Sequence, residues 1–300
     1  MNKELRTFLE ENNIVTKKIT IKNNVTIIDT GDNKLVIKKR DNNLNNLYKY
    51  LSSRAFDYYP QILHQTNNYD IYEYIDEVDI SIEEKAQDII KILTLLHSKT
   101  TFYKDIDDDT YKEIYESILD NIEYLQNYYE DTITVIETEE YMSPSNYLFA
   151  RNVTKVFQAL NYAKYNIEKW YDIISEKKRV RIVNLHNNLD LDHYIASDKP
   201  ALISWGKSKK DMPIYDLVNL YQKYYNKLDF YDLLRNYEHN YPLFPEEKTL
   251  FFVLISIPPK ITFDSREYEQ CIKVGNFYDY IMTSEKLLDD YLPKEKIAKE

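Results

Sequence analysis

The chain has 300 residues, enough to bury a sizeable core in one large domain or two lobes. Hydrophobic residues make up 43% and charged residues 30%, which excludes a disordered chain. The net charge of −11 argues against a general nucleic-acid binder, which needs a basic face. The single Cys271 leaves no internal disulfide and suits a reducing compartment. The opening MNKELRTFLEENN has charges where a signal peptide needs an apolar core. The longest apolar run, 250–257, falls far short of the roughly 20 residues of a membrane span and reads as a buried helix.

In chain order, residues 1–13 read as a short polar helix. Residues 17–22, 25–29 and 34–39 alternate around the turn signals Asn23-Asn24 and Gly31-Asp32-Asn33, which predicts a small antiparallel sheet. Residues 69–75 (YDIYEYI) alternate as one more strand. Ser81 opens a helix through a capping box with Glu84; Ile82, Ile89, Leu93 and Leu96 form its apolar stripe, and His97 reads as a helix-end cap. The run Asp105-Ile106-Asp107-Asp108-Asp109, with Glu116 at the twelfth position, imitates a calcium loop. Thr110, however, stands where the sharp turn requires Gly. The run reads instead as the acidic start of a helix reaching about Glu130, with Ile114, Ile118, Ile122, Leu125 and Tyr129 inward.

Residues 131–143 read as a connection. Pro144 starts the longest helix, to about Ser175, in which Phe149, Val153, Val156, Leu160, Ala163, Ile167, Trp170 and Ile174 recur at spacings of four and three. That heptad seam predicts antiparallel packing against the preceding helix within one domain, with a coiled-coil dimer as the alternative. Further helices are expected over 213–227, 230–239, 245–256 and 265–291. The last has Tyr268, Cys271, Val274, Phe277, Ile281 and Leu288 inward, and PKEKIAKE forms a frayed tail. No internal repeat is present.

The densest chemistry lies in 180–224. An apolar run (Val180, Ile182, Val183, Leu185) leads into a polar loop carrying His186, Asn187, Asn188, Asp190, Asp192 and His193. A short apolar strand at 201–203, a basic turn and a Pro-initiated helix with Asp216 in its first turn follow. Strand, polar loop, strand, turn, helix is the layout of a phosphoryl-transfer site.

The stretch resembles the catalytic half of the aminoglycoside phosphotransferase and choline-kinase-like family, closest to its spore-coat-kinase branch. That family writes roughly H-G-D-x-x-x-x-N, then I-D-[WF], then a Pro and D-L. Its His falls on His186, its hydrophobic residue and Trp on Ile203 and Trp205, and its P-x-x-D-L on Pro213, Asp216 and Leu217. The resemblance implies an α+β, protein-kinase-like two-lobe fold. A small antiparallel-sheet N-lobe would occupy 1–75, and a large, mostly helical C-lobe 76–300, containing the loop region 180–217. It implies that His186 packs beneath the loop, that Asp216 braces it, and that 69–75 is the strand joining the lobes. Lys38 is implied as the strand lysine that grips nucleotide phosphates, with Lys39 as an off-register rival.

The departures from that pattern fall on the chemistry. The Gly is Asn187, the catalytic Asp is Asn188, the metal-binding Asn is His193 and the metal-binding Asp is Ser204. An amide is no base at neutral pH, and a hydroxyl is a weak Mg²⁺ ligand beside a carboxylate. The turn Lys22-Asn23-Asn24 stands where a kinase has its Gly-rich loop, and between Asp41 and Pro60 there is no Glu to pair the lysine.

Three functions follow. The first is a pseudokinase that keeps the fold as a binding or scaffold module for a protein partner, without cofactor. The second is an active ATP-dependent phosphotransferase, acting on a small molecule or a protein, with Asp190 or Asp192 as relocated carboxylates and ATP and Mg²⁺ as cofactors. The third is a metal-site protein built on His186, Asp190, Asp192 and His193. The expected setting is cytoplasmic, with no nucleic acid and no membrane span, and the branch resemblance adds a spore-coat association.

Overall fold

A computed structural model describes Thr7, Leu9 and residues 15–22, 25–31, 33–106 and 108–292. The expected helix over 1–13, apart from Thr7 and Leu9, lies outside the described residues. So do Asn23-Asn24, Asp32, Asp107 and the tail 293–300. The strands are β1 (Lys18–Lys22), β2 (Val25–Asp29), β3 (Lys34–Lys39), β4 (Ile62–Gln65), β5 (Tyr69–Glu73), β6 (Phe102–Asp105), β7 (Arg179–Leu185), β8 (Tyr194–Ile195), β9 (Ala201–Leu202) and β10 (Lys209–Asp211). The helices are α1 (Asn42–Ser53), α2 (Ile82–Thr100), α3 (Asp108–Glu137), α4 (Pro144–Ser175), α5 (Ile214–Tyr224), α6 (Phe230–Asn240), α7 (Pro245–Ser256) and α8 (Glu267–Tyr291). They form two compact units, 1–100 with 190–208 and 101–189 with 209–300. An antiparallel-sheet lobe lies toward the N-terminus and a mostly helical region follows, a protein-kinase-like α+β fold.

In the first unit the sheet runs β1-β2-β3-β5-β4, antiparallel throughout. Its period of two sends Ile28, Ile37 and Ile71 to one face, where Leu9 joins them in an apolar cluster with Leu35 and Tyr69. Val36, Lys38, Asp70 and Tyr72 share the opposite face. Helix α1 starts at the Asp41 cap, whose carboxylate accepts the amide N–H of Asn43 at 2.9 Å. Helix α2 buries Ile89, Leu93 and Leu96 as its stripe predicts. Ile82, in its first turn, is instead 50% exposed.

In the second unit β10-β7-β6 form a three-stranded sheet. The supposed calcium loop is the end of β6 and the start of α3, with the Asp105 carboxylate taken by Arg179 at 2.7 Å. Helix α3 continues to Glu137, through what the sequence presents as a connection. Its threonines are accommodated because Thr132 and Thr134 return their hydroxyls to the carbonyls of Tyr128 and Glu130. The α3–α4 pairing is antiparallel: Tyr111 meets Trp170, Tyr115 stacks on Tyr171, and Tyr129 meets Phe149 at the far end. Helix α4 also packs on α7 and α8, so its seam is core within one chain. Helix α8 turns Val274, Phe277, Ile281 and Leu287 inward and leaves Tyr268 78% exposed. No helix among the described residues is long and apolar enough to cross a membrane.

Under β7 lies a buried ion pair. Arg181 donates Nε to Glu247 Oε1 at 2.9 Å, a second N–H to Oε2, and one to the Pro242 carbonyl at 2.8 Å. The rings of Tyr241 and Phe244 each lie 4.1 Å from the guanidinium carbon. Burial pushes the Glu247 carboxyl up against the pull of Arg181. Arg181→Ala strands that carboxylate and is expected to cost about 3–5 kcal/mol at neutral pH by urea denaturation. Because the folded-state pKa is raised, a protonated Glu247 needs no counter-charge. The penalty therefore shrinks as pH falls through the raised carboxyl range.

Candidate functional site

Strand β7 is buried at every position after Arg179 and delivers the chain to His186, itself fully buried. Beyond that point no ladder holds the backbone. The carboxylate of Asp216 does so instead: Oδ2 accepts the amide N–H of His186 at 2.8 Å, and Oδ1 that of Asn187 at 2.6 Å. Asp216 is fully buried in the first turn of α5, where the helix dipole favours negative charge. The same helix face continues the tether. Asn219 donates Nδ2 to Asn187 Oδ1 at 3.4 Å, and Lys223 donates Nζ to the Leu189 carbonyl at 2.7 Å. These two residues were missed in the sequence. Their spacing of three and seven from Asp216 is the signal that could have found them.

Asn187 has φ +56°, the left-handed region that Gly reaches freely and Asn tolerates better than other side chains. Asn188 follows, partly exposed.

The stretch 190–208 belongs to the first unit and is tied down within it. Leu202 N–H donates to the Tyr58 carbonyl at 3.0 Å, Val78 N–H to the Ala196 carbonyl at 2.8 Å, and the Tyr194 hydroxyl to Asp88 at 3.1 Å. Asp190 caps the turn Leu191–His193, its carboxylate accepting the Asp192 N–H at 3.1 Å. Asp192 is exposed. The His193 carbonyl accepts the Ile203 N–H at 2.8 Å, which sets the residue before Ser204 beside the turn. Ser204 has φ +69°, a second left-handed residue without the excuse of glycine. Trp205 is buried, donating Nε1 to the Leu202 carbonyl at 2.7 Å and meeting Phe56 edge-on at 6.0 Å.

Lys38 sits on β3 opposite Asp70 on β5. Its ammonium lies 5.9 Å from the Tyr72 ring centre, and burial lowers its pKa. Among the described residues no carboxylate pairs with it. Asp70 is fully buried, with Oδ1 held by Gln65 Nε2 at 3.1 Å. Helix α1 carries no acidic residue and turns Asn45 and Tyr48 inward. Among the described residues no three His, Cys, Asp or Glu side chains gather as metal ligands do.

No family model matches the sequence, and no curated protein matches it. Solved structures do. An aminoglycoside phosphotransferase from Alicyclobacillus acidocaldarius aligns with a TM-score of 0.70 at 9% identity, over 93% of this chain and 92% of that one. The AMP-bound spectinomycin phosphotransferase APH(9)-Ia aligns with a TM-score of 0.52 at 11% identity, over 95% and 94%. The chain therefore has the protein-kinase-like fold of the aminoglycoside phosphotransferases. At these identities the likeness is one of fold.

Each hydrogen bond to a charged acceptor contributes about 1.5–3 kcal/mol, so Asp216→Ala is expected to destabilise the helical unit by about 3 kcal/mol or more in chemical denaturation. Asp216→Asn, which keeps one acceptor oxygen, should lose less. Lys38→Met removes a desolvated cation without a counter-ion and is expected to raise the melting temperature in calorimetry.

Proposed function

We propose that this protein is a pseudokinase: a phosphotransferase fold kept as a binding or scaffold module for a protein partner, without phosphoryl transfer. The observation that carries the reading is the pairing of an ordered loop with neutral side chains. The backbone around His186 and Asn187 is held by Asp216, while Asn188 and Ser204 stand where the resemblance expects the base and the metal-binding carboxylate. In phosphoryl transfer the protein supplies little beyond positioning and charge neutralisation, so a loop that keeps position and lacks charge loses most of its catalytic power. Lys38 without a carboxylate partner points the same way. Against relocation of the base, Asp190 already serves as the cap of its own turn. A cytoplasmic or spore-coat setting accompanies this reading on the branch resemblance alone.

The test uses the intact chain with γ-labelled ATP and Mg²⁺, offered an aminoglycoside, choline and a mixture of proteins. No label should leave ATP for any acceptor. Transfer that disappears in Asp190→Asn or Asp192→Asn would establish the relocated phosphotransferase instead. A ligand at 100 times its Kd stabilises by about 2.7 kcal/mol, so calorimetry with Mg-ATP separates a nucleotide-binding scaffold from one that binds none.

A further inference from the structure

Helix α1 and strand β4 face each other across a groove of about 480 Å³. The helix contributes Asn45, Tyr48, Lys49 and Ser52, one face at spacings of three, four and seven, and the strand contributes all of residues 62–65. β4 is the last strand of its sheet, with no second neighbour among the described residues, so its outer edge is a template for another strand. Leu63 on that strand is 54% exposed. Asn45 is only 8% exposed, yet neither its side-chain nitrogen nor its oxygen has a hydrogen-bond partner. Buried amides are as a rule satisfied, so this side chain has a donor and an acceptor to offer a ligand. Tyr48 stacks on Tyr59, with ring centres 4.3 Å apart and planes at 11°, which makes that wall stiff. The charge is also set apart: the lining holds Lys49 and His64 and no carboxylate, in a chain of net charge −11.

We propose that this groove takes an extended acidic peptide, which adds to β4 as a sixth strand, turns a carboxylate toward Lys49 and satisfies the Asn45 amide with a polar side chain. Main-chain bonds to the strand edge would give affinity, and the helix face would give specificity. The inference uses no residue of the loop 186–216 and stands whether or not the protein moves a phosphate.

The experiment pans a displayed library of random dodecapeptides against the full chain and measures synthetic hits by fluorescence anisotropy. Hits rich in Asp and Glu are expected. Their affinity should fall at least about tenfold in Lys49→Glu and in Asn45→Leu, and their binding should slow amide hydrogen exchange at 62–65. Lys49 is exposed, so Lys49→Glu should leave the melting temperature unchanged and report on binding alone. The proposal is overturned by a library that yields no hits or hits without acidic bias. It is equally overturned by hits that bind Lys49→Glu as tightly, or that leave exchange at 62–65 untouched. Light scattering that shows self-association protecting 62–65 without any peptide would assign the edge to a second copy instead.

Discussion

One carboxylate fixes the backbone on which the functional reading depends. Where β7 ends, the chain must leave the sheet and enter a left-handed residue at Asn187, and no ladder bond can follow it there. Asp216 supplies the missing acceptors, one oxygen to each of two successive N–H groups. The arrangement is self-consistent electrostatically. A buried carboxylate is tolerated when charge-assisted bonds and a helix N-terminus surround it, and buried N–H groups are tolerated when they find an acceptor. Either partner alone would be costly. Together they tie α5 to the loop, and Asn219 and Lys223 extend the tie along the same helix face.

Much of this was legible in the sequence because it is written in periodicity and spacing. The seam of α4 from Phe149 to Ile174 gave that helix and its antiparallel partner, since a stripe of large apolar residues at spacings of three and four has few other ways to be buried. His186 and the P-x-x-D-L at Pro213 located the strand–loop–helix unit. What escaped was short or compositionally weak. Helix α1 reads NNLNNLYKYLSS, where asparagine competes for its own backbone and hides the helical period; only the Asp41 cap betrays the start. β4, β6 and β10 are four residues or fewer and carry too little alternation to register. Tyr268 falls in phase with the α8 stripe yet is exposed, in the first turn of the helix.

Contacts that depend on rotamers were invisible for a different reason. Nothing in the order of residues says that Asp190 turns its carboxylate back to the N–H of Asp192. That both Asp190 and Asp192 follow the loop motif made them equal candidates for relocated chemistry. The cap distinguishes them, since one carboxylate is engaged in holding its own turn and the other is exposed.

The loop's residue types fit its backbone. Asparagine is the side chain that best tolerates the left-handed geometry at position 187, so the chain turns there with little strain. At 188 the side chain is a planar amide, neutral and without the basicity of a carboxylate. Ser204 keeps a left-handed turn and offers only a hydroxyl. On β3 Lys38 is desolvated by its surroundings, with its ammonium 5.9 Å from the Tyr72 ring centre. A catalytic site stores its unfavourable electrostatics as opposed charges aimed at a substrate. In the sheet unit Lys38 on β3 faces Asp70 on β5: burial disfavours the charged form of the lysine, and the carboxylate is fully buried with Gln65 on one oxygen, so each charge depends on its neighbours for compensation.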